Sequence, residues 1–135
     1  MISPTHLHHF AITVTDAEKT VDYYKRVFHA KSLRRPNFDF QGAWLLVGGV
    51  QIHVIQNLKI AAVGDGEINS RDNHVAFAVA NIENVKSHLE AINEPFVERV
   101  NAGGTHQIFI QDPDGHEIEL AEYGAASDEI VPELS

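Results

Sequence analysis

Nine histidines occur in 135 residues, and histidine serves both as a metal ligand and as an acid–base group near neutral pH. Two of them open segments that read alike, His9-Phe-Ala-Ile-Thr-Val14 and His74-Val-Ala-Phe-Ala-Val79. A second pair of segments also reads alike, Gly49-Val-Gln-Ile-His53-Val and Gly115-His-Glu-Ile-Glu119-Leu. The offset is 65 residues for the first pair and 66 for the second, so one insertion or deletion separates the two registers. Duplication alone gives no reason for His53 to be matched by Glu119. Imidazole nitrogen and carboxylate oxygen together suit divalent Zn, Ni, Mn or Fe. If the two halves pack about a pseudo-twofold axis, His9, His53, His74 and Glu119 can converge on one such cation. A catalytic metal must also keep an open position for water or substrate. The competing reading for any one of these residues is a structural histidine on a strand. Matched placement in both halves favours the ligand set. With no cysteine in the chain, thiol nucleophiles, disulfides and zinc–thiolate sites are excluded.

Strands are the better mount for such a set, because ligand geometry must hold to a fraction of an ångström. Residues 6–14 alternate, with Phe10, Ile12 and Val14 on one face and His9, Ala11 and Thr13 on the other. Thr15 and Glu18 read as a capping box, and Val21, Tyr24, Val27 and Phe28 give the apolar stripe of a helix over about 16–29. Strands are expected at 30–35, 43–48 and 50–56. Residues 58–72, with Gly64, Asp65 and Gly66, read as a linker. The second half repeats the order. A strand spans 74–80, Asn81 caps a helix with the stripe Ile82, Val85, Leu89 and Ile92, and strands follow at 96–100, 105–111 and 116–122. Asp112-Pro113-Asp114-Gly115 is a turn with suitable chemistry. The expected organisation is one domain over 1–135. It contains a first βαβββ module at about 6–57, a second at about 73–123, and a loosely patterned acidic tail at 124–135.

Composition narrows the partners. Ten Lys and Arg face nineteen Asp and Glu, a formal charge of −9. Nucleic-acid binding needs a concentrated basic patch, and only Arg34 and Arg35 are adjacent. The most apolar stretch, Trp44 to Val50, is far short of a membrane span. The N-terminus lacks the pattern of a signal peptide. These features point to a soluble cytoplasmic domain acting on a small molecule, with no nucleic acid and no membrane. Arg35 is a candidate anchor for an anionic substrate, or else a solvated edge charge. His106 is a candidate substrate residue on the seventh strand, or else an ordinary strand residue. Trp44 reads as packing rather than as a substrate platform. Gln107 falls on the opposite face from His106, and alternation assigns it no role.

Four segments carry a resemblance to a known family: His9-Phe-Ala-Ile-Thr-Val-Thr-Asp16, Asp22-Tyr-Tyr-Lys-Arg-Val-Phe28, Asn73-His-Val-Ala-Phe77 and Asp112-Pro-Asp-Gly-His-Glu-Ile-Glu119. Over about 6–123 the chain resembles the vicinal oxygen chelate superfamily, which includes glyoxalase I, fosfomycin-resistance enzymes, extradiol dioxygenases and bleomycin-resistance proteins. Arg35-Pro-Asn-Phe-Asp-Phe-Gln-Gly-Ala-Trp44, with Ile52-His53 and Gln107-Ile-Phe, is similar to a glyoxalase-I-like subgroup. The resemblance implies an α+β fold of paired βαβββ modules, an open cup-shaped mixed sheet with helices outside. It implies a divalent metal held by His9, His74 and Glu119, with His53 at the fourth position. It also implies substrate bound through vicinal oxygens, Glu119 and His53 as catalytic residues, and a homodimer. The implied activity is that of a glyoxalase I-like lyase or isomerase. A fosfomycin-resistance-like thiol transferase, an extradiol-type dioxygenase and a non-catalytic sequestering protein are the alternatives. Phe109 stands where the dioxygenases carry a catalytic tyrosine.

Overall fold

The computed structural model describes residues 1–60 and 66–125. Part of the expected linker (61–65) and most of the acidic tail (126–135) lie outside the described residues. The chain divides into two compact units. One comprises Met1–Glu67 with Asp112–His116, and the other Ile68–Gln111 with Glu117–Ser135.

The first unit runs β1 (His9–Val14), α1 (Ala17–Phe28), β2 (Lys31–Leu33), β3 (Gly42–Val47) and β4 (Val50–Gln56). Its sheet has the order β1-β4-β3-β2, with β1 parallel to β4 and the other pairs antiparallel. The second unit repeats this scheme with β5 (His74–Ala78), α2 (Ile82–Ala91), β6 (Val97–Val100), β7 (His106–Gln111) and β8 (Glu117–Ala121), ordered β5-β8-β7-β6. Each unit is thus the expected βαβββ motif in an α+β fold, and both sheets are mixed.

Period-two alternation decides which face of each sheet is covered. In the first unit Ile12, Val14, Leu45, Val47, Ile52 and Val54 are buried together with Tyr23, Tyr24 and Val27 of α1. In the second, Ile108, Ile110, Ile118 and Leu120 are buried together with Ile82 and Leu89 of α2. Each such side chain contributes about 1.5–3 kcal/mol when fully removed from water. The opposite faces, carrying His9 and His53 in one sheet and His74 and Glu119 in the other, are left for chemistry. Gly42 is required by close approach, because a Cβ there would overlap the Val54 carbonyl oxygen and lie 3.1 Å from the Arg35 guanidinium.

The start of α1 corrects the capping-box expectation. Asp16, not Thr15, is the N-cap, and its carboxylate accepts from the Lys19 N–H at 3.1 Å. Thr15 instead donates its backbone N–H and its hydroxyl to Asp114 at 3.1 and 2.8 Å. A carboxylate is the stronger acceptor, and the 112–116 turn presents one there. Asp112 in the same turn accepts from the Tyr24 hydroxyl at 3.0 Å, from the backbone N–H groups of Asp114 and His116, and from the His116 ring. Burial, then the Asp112 charge and hydrogen bond, push the Tyr24 phenol well above its usual value, so it stays a neutral donor.

Candidate functional site

Unit two holds the most constrained donor pair. Register places Ala76, Glu119 and Phe109 side by side across β5, β8 and β7. Glu119 is only 5% exposed, and a buried carboxylate needs compensation. Its Oε1 accepts from Gln107 Nε2 at 2.8 Å, and its Oε2 accepts from the Tyr123 hydroxyl at 2.9 Å. His74 lies beside it, with Nε2 3.7 Å from Oε1. The other ring nitrogen of His74 donates to the Asp72 carbonyl at 2.8 Å. That bond makes Nδ1 the donor, so Nε2 is the ring nitrogen turned to the carboxylate and offered to a cation, the arrangement a metal-binding histidine needs.

Glu117 lies two residues away on the same face and is also buried. Its Oε1 accepts from the Asn69 N–H at 2.8 Å, while Oε2 has no hydrogen-bond partner. Burial raises its pKa, and the Asp72 charge adds to the rise against the opposing Asn69 bond and His74. A carboxyl with a raised folded pKa binds a proton that the unfolded chain has already lost, so this group destabilises the fold as pH rises through and above the ordinary carboxylate range. Metal-free Glu117→Gln is therefore expected to melt above wild type at pH 7. The difference should close below about pH 4, where the unfolded carboxyl is protonated as well. Thermal melts across that range check it.

Unit one carries the other donors on a ladder of rings. The His9 and His53 imidazoles stack at 4.0 Å with 12° between planes, and His53 stacks on Trp44 at 4.4 Å and 9°. Trp44 and His53 are cross-strand partners in the β3–β4 register, which brings their side chains together. His53 Nε2 bonds Gln51 Oε1 at 2.9 Å, so that nitrogen is the donor and Nδ1 carries the lone pair. Partial burial, then His9 and His8, lower the His53 pKa, which keeps the ring neutral at neutral pH. His8 and His9 share a hydrogen between their Nδ1 atoms at 2.8 Å.

The structure brings His74 together with Glu119, and His9 together with His53. Among the described residues no three His, Asp or Glu side chains form a ready metal cluster, and the donors occur as these two pairs. The donor chemistry, imidazole nitrogens in both pairs and the buried Glu119 carboxylate in one, fits a divalent cation. Arg35 lies over the rings of Phe38 and Phe40 at 4.7 and 4.8 Å and donates to the Phe40 carbonyl at 3.1 Å. Phe38 in turn meets Trp44 at 6.2 Å, so Arg35 ends the same ladder. His106 is placed elsewhere. It shares the α2-side face with Ile108 and Ile110, opposite Glu119, and its ring nitrogens are 3.4 Å from Glu98 and 3.9 Å from Glu83.

Gln107 and Tyr123 are the residues that sequence reasoning left out of the site. The signal for Gln107 is its place on β7, two residues from Phe109, which pairs with Glu119. Tyr123 leaves no periodic signal, because it follows the end of β8.

Comparison with known proteins agrees with this fold. The chain is 31% identical to Glyoxylase I 4 of Arabidopsis thaliana over 86% of its own length and 70% of that protein. It is 25% identical to the metallothiol transferase FosB of Bacillus licheniformis, over 84% of this chain and 73% of that one. A solved structure of a Glu-to-Gln mutant of the fosfomycin resistance protein FosX from Listeria monocytogenes, complexed with Mn(II) and 1S,2S-dihydroxypropylphosphonic acid, superposes with a TM-score of 0.69. That match has 21% identity and covers 96% of this chain and 98% of that one. No helix among the described residues is long and apolar enough to cross a membrane. The family model matches residues 6–120, and the chain belongs to the Glyoxalase/Bleomycin resistance protein/Dioxygenase superfamily.

Proposed function

We propose that the chain is a divalent-metal-dependent enzyme of the glyoxalase I-like type, a lyase or isomerase for a small oxygenated substrate bound through vicinal oxygens. His9, His74 and Glu119 are the proposed metal ligands, with His53 as the fourth residue of the set. The observation that carries the reading is the buried Glu119 carboxylate. Two neutral donors hold it, and Nε2 of His74, the ring nitrogen not engaged by the Asp72 carbonyl, lies 3.7 Å away. The name of the Arabidopsis relative supports the reaction type, and the Mn(II) in the FosX structure supports a divalent cation in this fold.

When bound, the metal would act as a Lewis acid that polarises the coordinated substrate oxygens. The rest falls to the chain. Glu119 Oε1 and Oε2 each accept one hydrogen bond and keep a further lone pair. One of these oxygens can take the proton from the carbon beside a polarised carbonyl and return it to the neighbouring carbon. The carbon-bound proton moves to the neighbouring carbon, the hydroxyl proton passes from one vicinal oxygen to the other, and an electron pair redistributes within the substrate, so atoms balance and no redox partner is needed. His53 is neutral, and its single lone pair, on Nδ1, can serve the cation or accept a proton but not both at once. The Asp72 carbonyl holds His74 through Nδ1, so Nε2 is the nitrogen presented to a cation.

The first experiment is elemental analysis of protein purified without chelator, followed by turnover assays. The substrates are the hemithioacetal of methylglyoxal and glutathione, and fosfomycin with a thiol. The expected result is about one Ni, Zn, Mn or Fe per chain and isomerisation of the hemithioacetal. Thiol addition to fosfomycin alone would move the assignment to the FosB-like reaction. Failure to bind any metal after reconstitution would leave a ligand-binding protein and overturn the proposal.

A further inference from the structure

We propose that Tyr123 and Gln107 are positioning residues that hold Glu119 as a preset metal ligand. The inference rests on the metal-dependent reading above and deepens it.

The three side chains close a ring of hydrogen bonds. Gln107 Nε2 donates to Glu119 Oε1 at 2.8 Å and to the Tyr123 oxygen at 3.2 Å. Tyr123 donates its hydroxyl hydrogen to Glu119 Oε2 at 2.9 Å. The donor count closes, because both amide hydrogens and the phenolic hydrogen are spent within the ring. With its amide turned round, Gln107 would set a carbonyl oxygen against the carboxylate, so only one orientation satisfies all three groups. Each carboxylate oxygen is held by one donor, which fixes the rotation of the group about its last bond. Each oxygen keeps a further lone pair, and His74 Nε2 is 3.7 Å from Oε1.

The backbone is arranged to make this possible. Along a continuing strand, a residue four positions on would lie about 13 Å away. Tyr123 reaches Glu119 because β8 ends at Ala121 and the chain turns, with the Tyr123 N–H bonded to the Ala121 carbonyl at 3.0 Å. The turn is anchored on its far side by Glu122, which accepts from the Ile82 N–H at the start of α2 at 2.7 Å. On the other flank Gln107 is 8% exposed, so its amide is buried with the carboxylate. A purely structural carboxylate in this position would more often be offset by lysine or arginine. Here the supports are neutral donors, which orient Glu119 without cancelling the charge a cation needs. Partners that orient metal ligands in this way typically change metal affinity by about 10–100-fold when removed.

The test is a Co2+ titration of the metal-free full-length chain, reading both affinity and the visible d–d band. Four proteins accompany wild type: Tyr123→Phe, Gln107→Leu, the double variant, and Glu119→Gln. Thermal melts of the metal-free forms run in parallel. Expected results are one Co2+ site in wild type, about 10-fold weaker binding in Tyr123→Phe, and about 100-fold weaker binding with a changed band in the double variant. Tyr123→Phe keeps the ring and loses only the hydroxyl, so it remains informative if the double variant folds poorly. Near-complete loss of binding in Glu119→Gln, with the double variant within twofold of wild type and an unchanged band, would overturn the positioning role and leave the metal reading standing. Wild-type affinity in Glu119→Gln, or no Co2+ binding by wild type, would overturn both. A lowered melting temperature with an unchanged band would assign Tyr123 and Gln107 to folding alone.

Discussion

Asp112→Ala is expected to destabilise the protein by about 3–4 kcal/mol, roughly 10 °C in melting temperature for a domain of this size. The carboxylate is buried and accepts from Tyr24, from two backbone N–H groups and from the His116 ring. Alanine would strand the Tyr24 hydroxyl, which is attached to one of the most buried side chains in the chain. It would also free the turn that presents Asp114 to Thr15. Tyr24→Phe removes one of these bonds and no buried acceptor other than a well-supplied carboxylate, so its cost should stay near 1 kcal/mol. The Tyr24 phenol adds a pH signature. Its folded pKa is raised, so above the ordinary tyrosine value the unfolded chain loses a proton that the folded chain keeps. Stability should therefore fall as pH rises through that value, and Tyr24→Phe should show a shallower decline. Chemical denaturation of the three proteins at neutral and alkaline pH measures both effects.

The same turn shows where sequence reasoning reaches its limit. Asp112-Pro113-Asp114-Gly115 is readable as a turn from local chemistry alone, since Gly115 adopts a φ of 89°. What the turn touches is not readable, because Thr15 and Asp114 are 99 positions apart. The capping-box reading failed there for that reason: a distant carboxylate claimed the threonine. Alternation, by contrast, is local. It placed His9, His53, His74 and Glu119 on strands, each opposite the apolar residues that pack on a helix. It also separated Gln107 from His106 on β7. Alternation cannot say which face is which when both are buried. Four successive residues of β7, from Gln107 to Ile110, are buried, so neither side of the strand is a solvent side. Only the pairing of Phe109 with Glu119 shows that Gln107 lies beside the carboxylate and that His106 lies on the helix side. The Trp44–His53 stack is invisible for the same reason, since cross-strand register is a long-range property.

Glu119→Gln is expected to lower metal-dependent turnover by about 10^3-fold, the largest effect of any single change in the proposed site. Glutamine is nearly the same size and can still accept hydrogen bonds at one atom. It cannot take a proton at neutral pH, and it offers a cation no charge. Its NH2 group would also face a donor, because Gln107 Nε2 and the Tyr123 hydroxyl both point at the carboxylate. The two losses separate experimentally. If the carboxylate is only a ligand, saturating metal should restore most of the turnover. If it also moves the proton, kcat stays low with the site filled. His53→Gln should behave differently. The His53 ring is gripped between His9 and Trp44 and tied to Gln51, so packing holds it independently of any cation. Metal affinity is expected to stay within about 10-fold of wild type there, with turnover reduced by about 10–100-fold through loss of the neutral imidazole. Measuring kcat and metal affinity for both variants at saturating metal distinguishes the roles. A Glu119→Gln protein with wild-type kcat would remove the carboxylate from the chemistry, and equal losses of metal affinity in both variants would make His53 a full ligand.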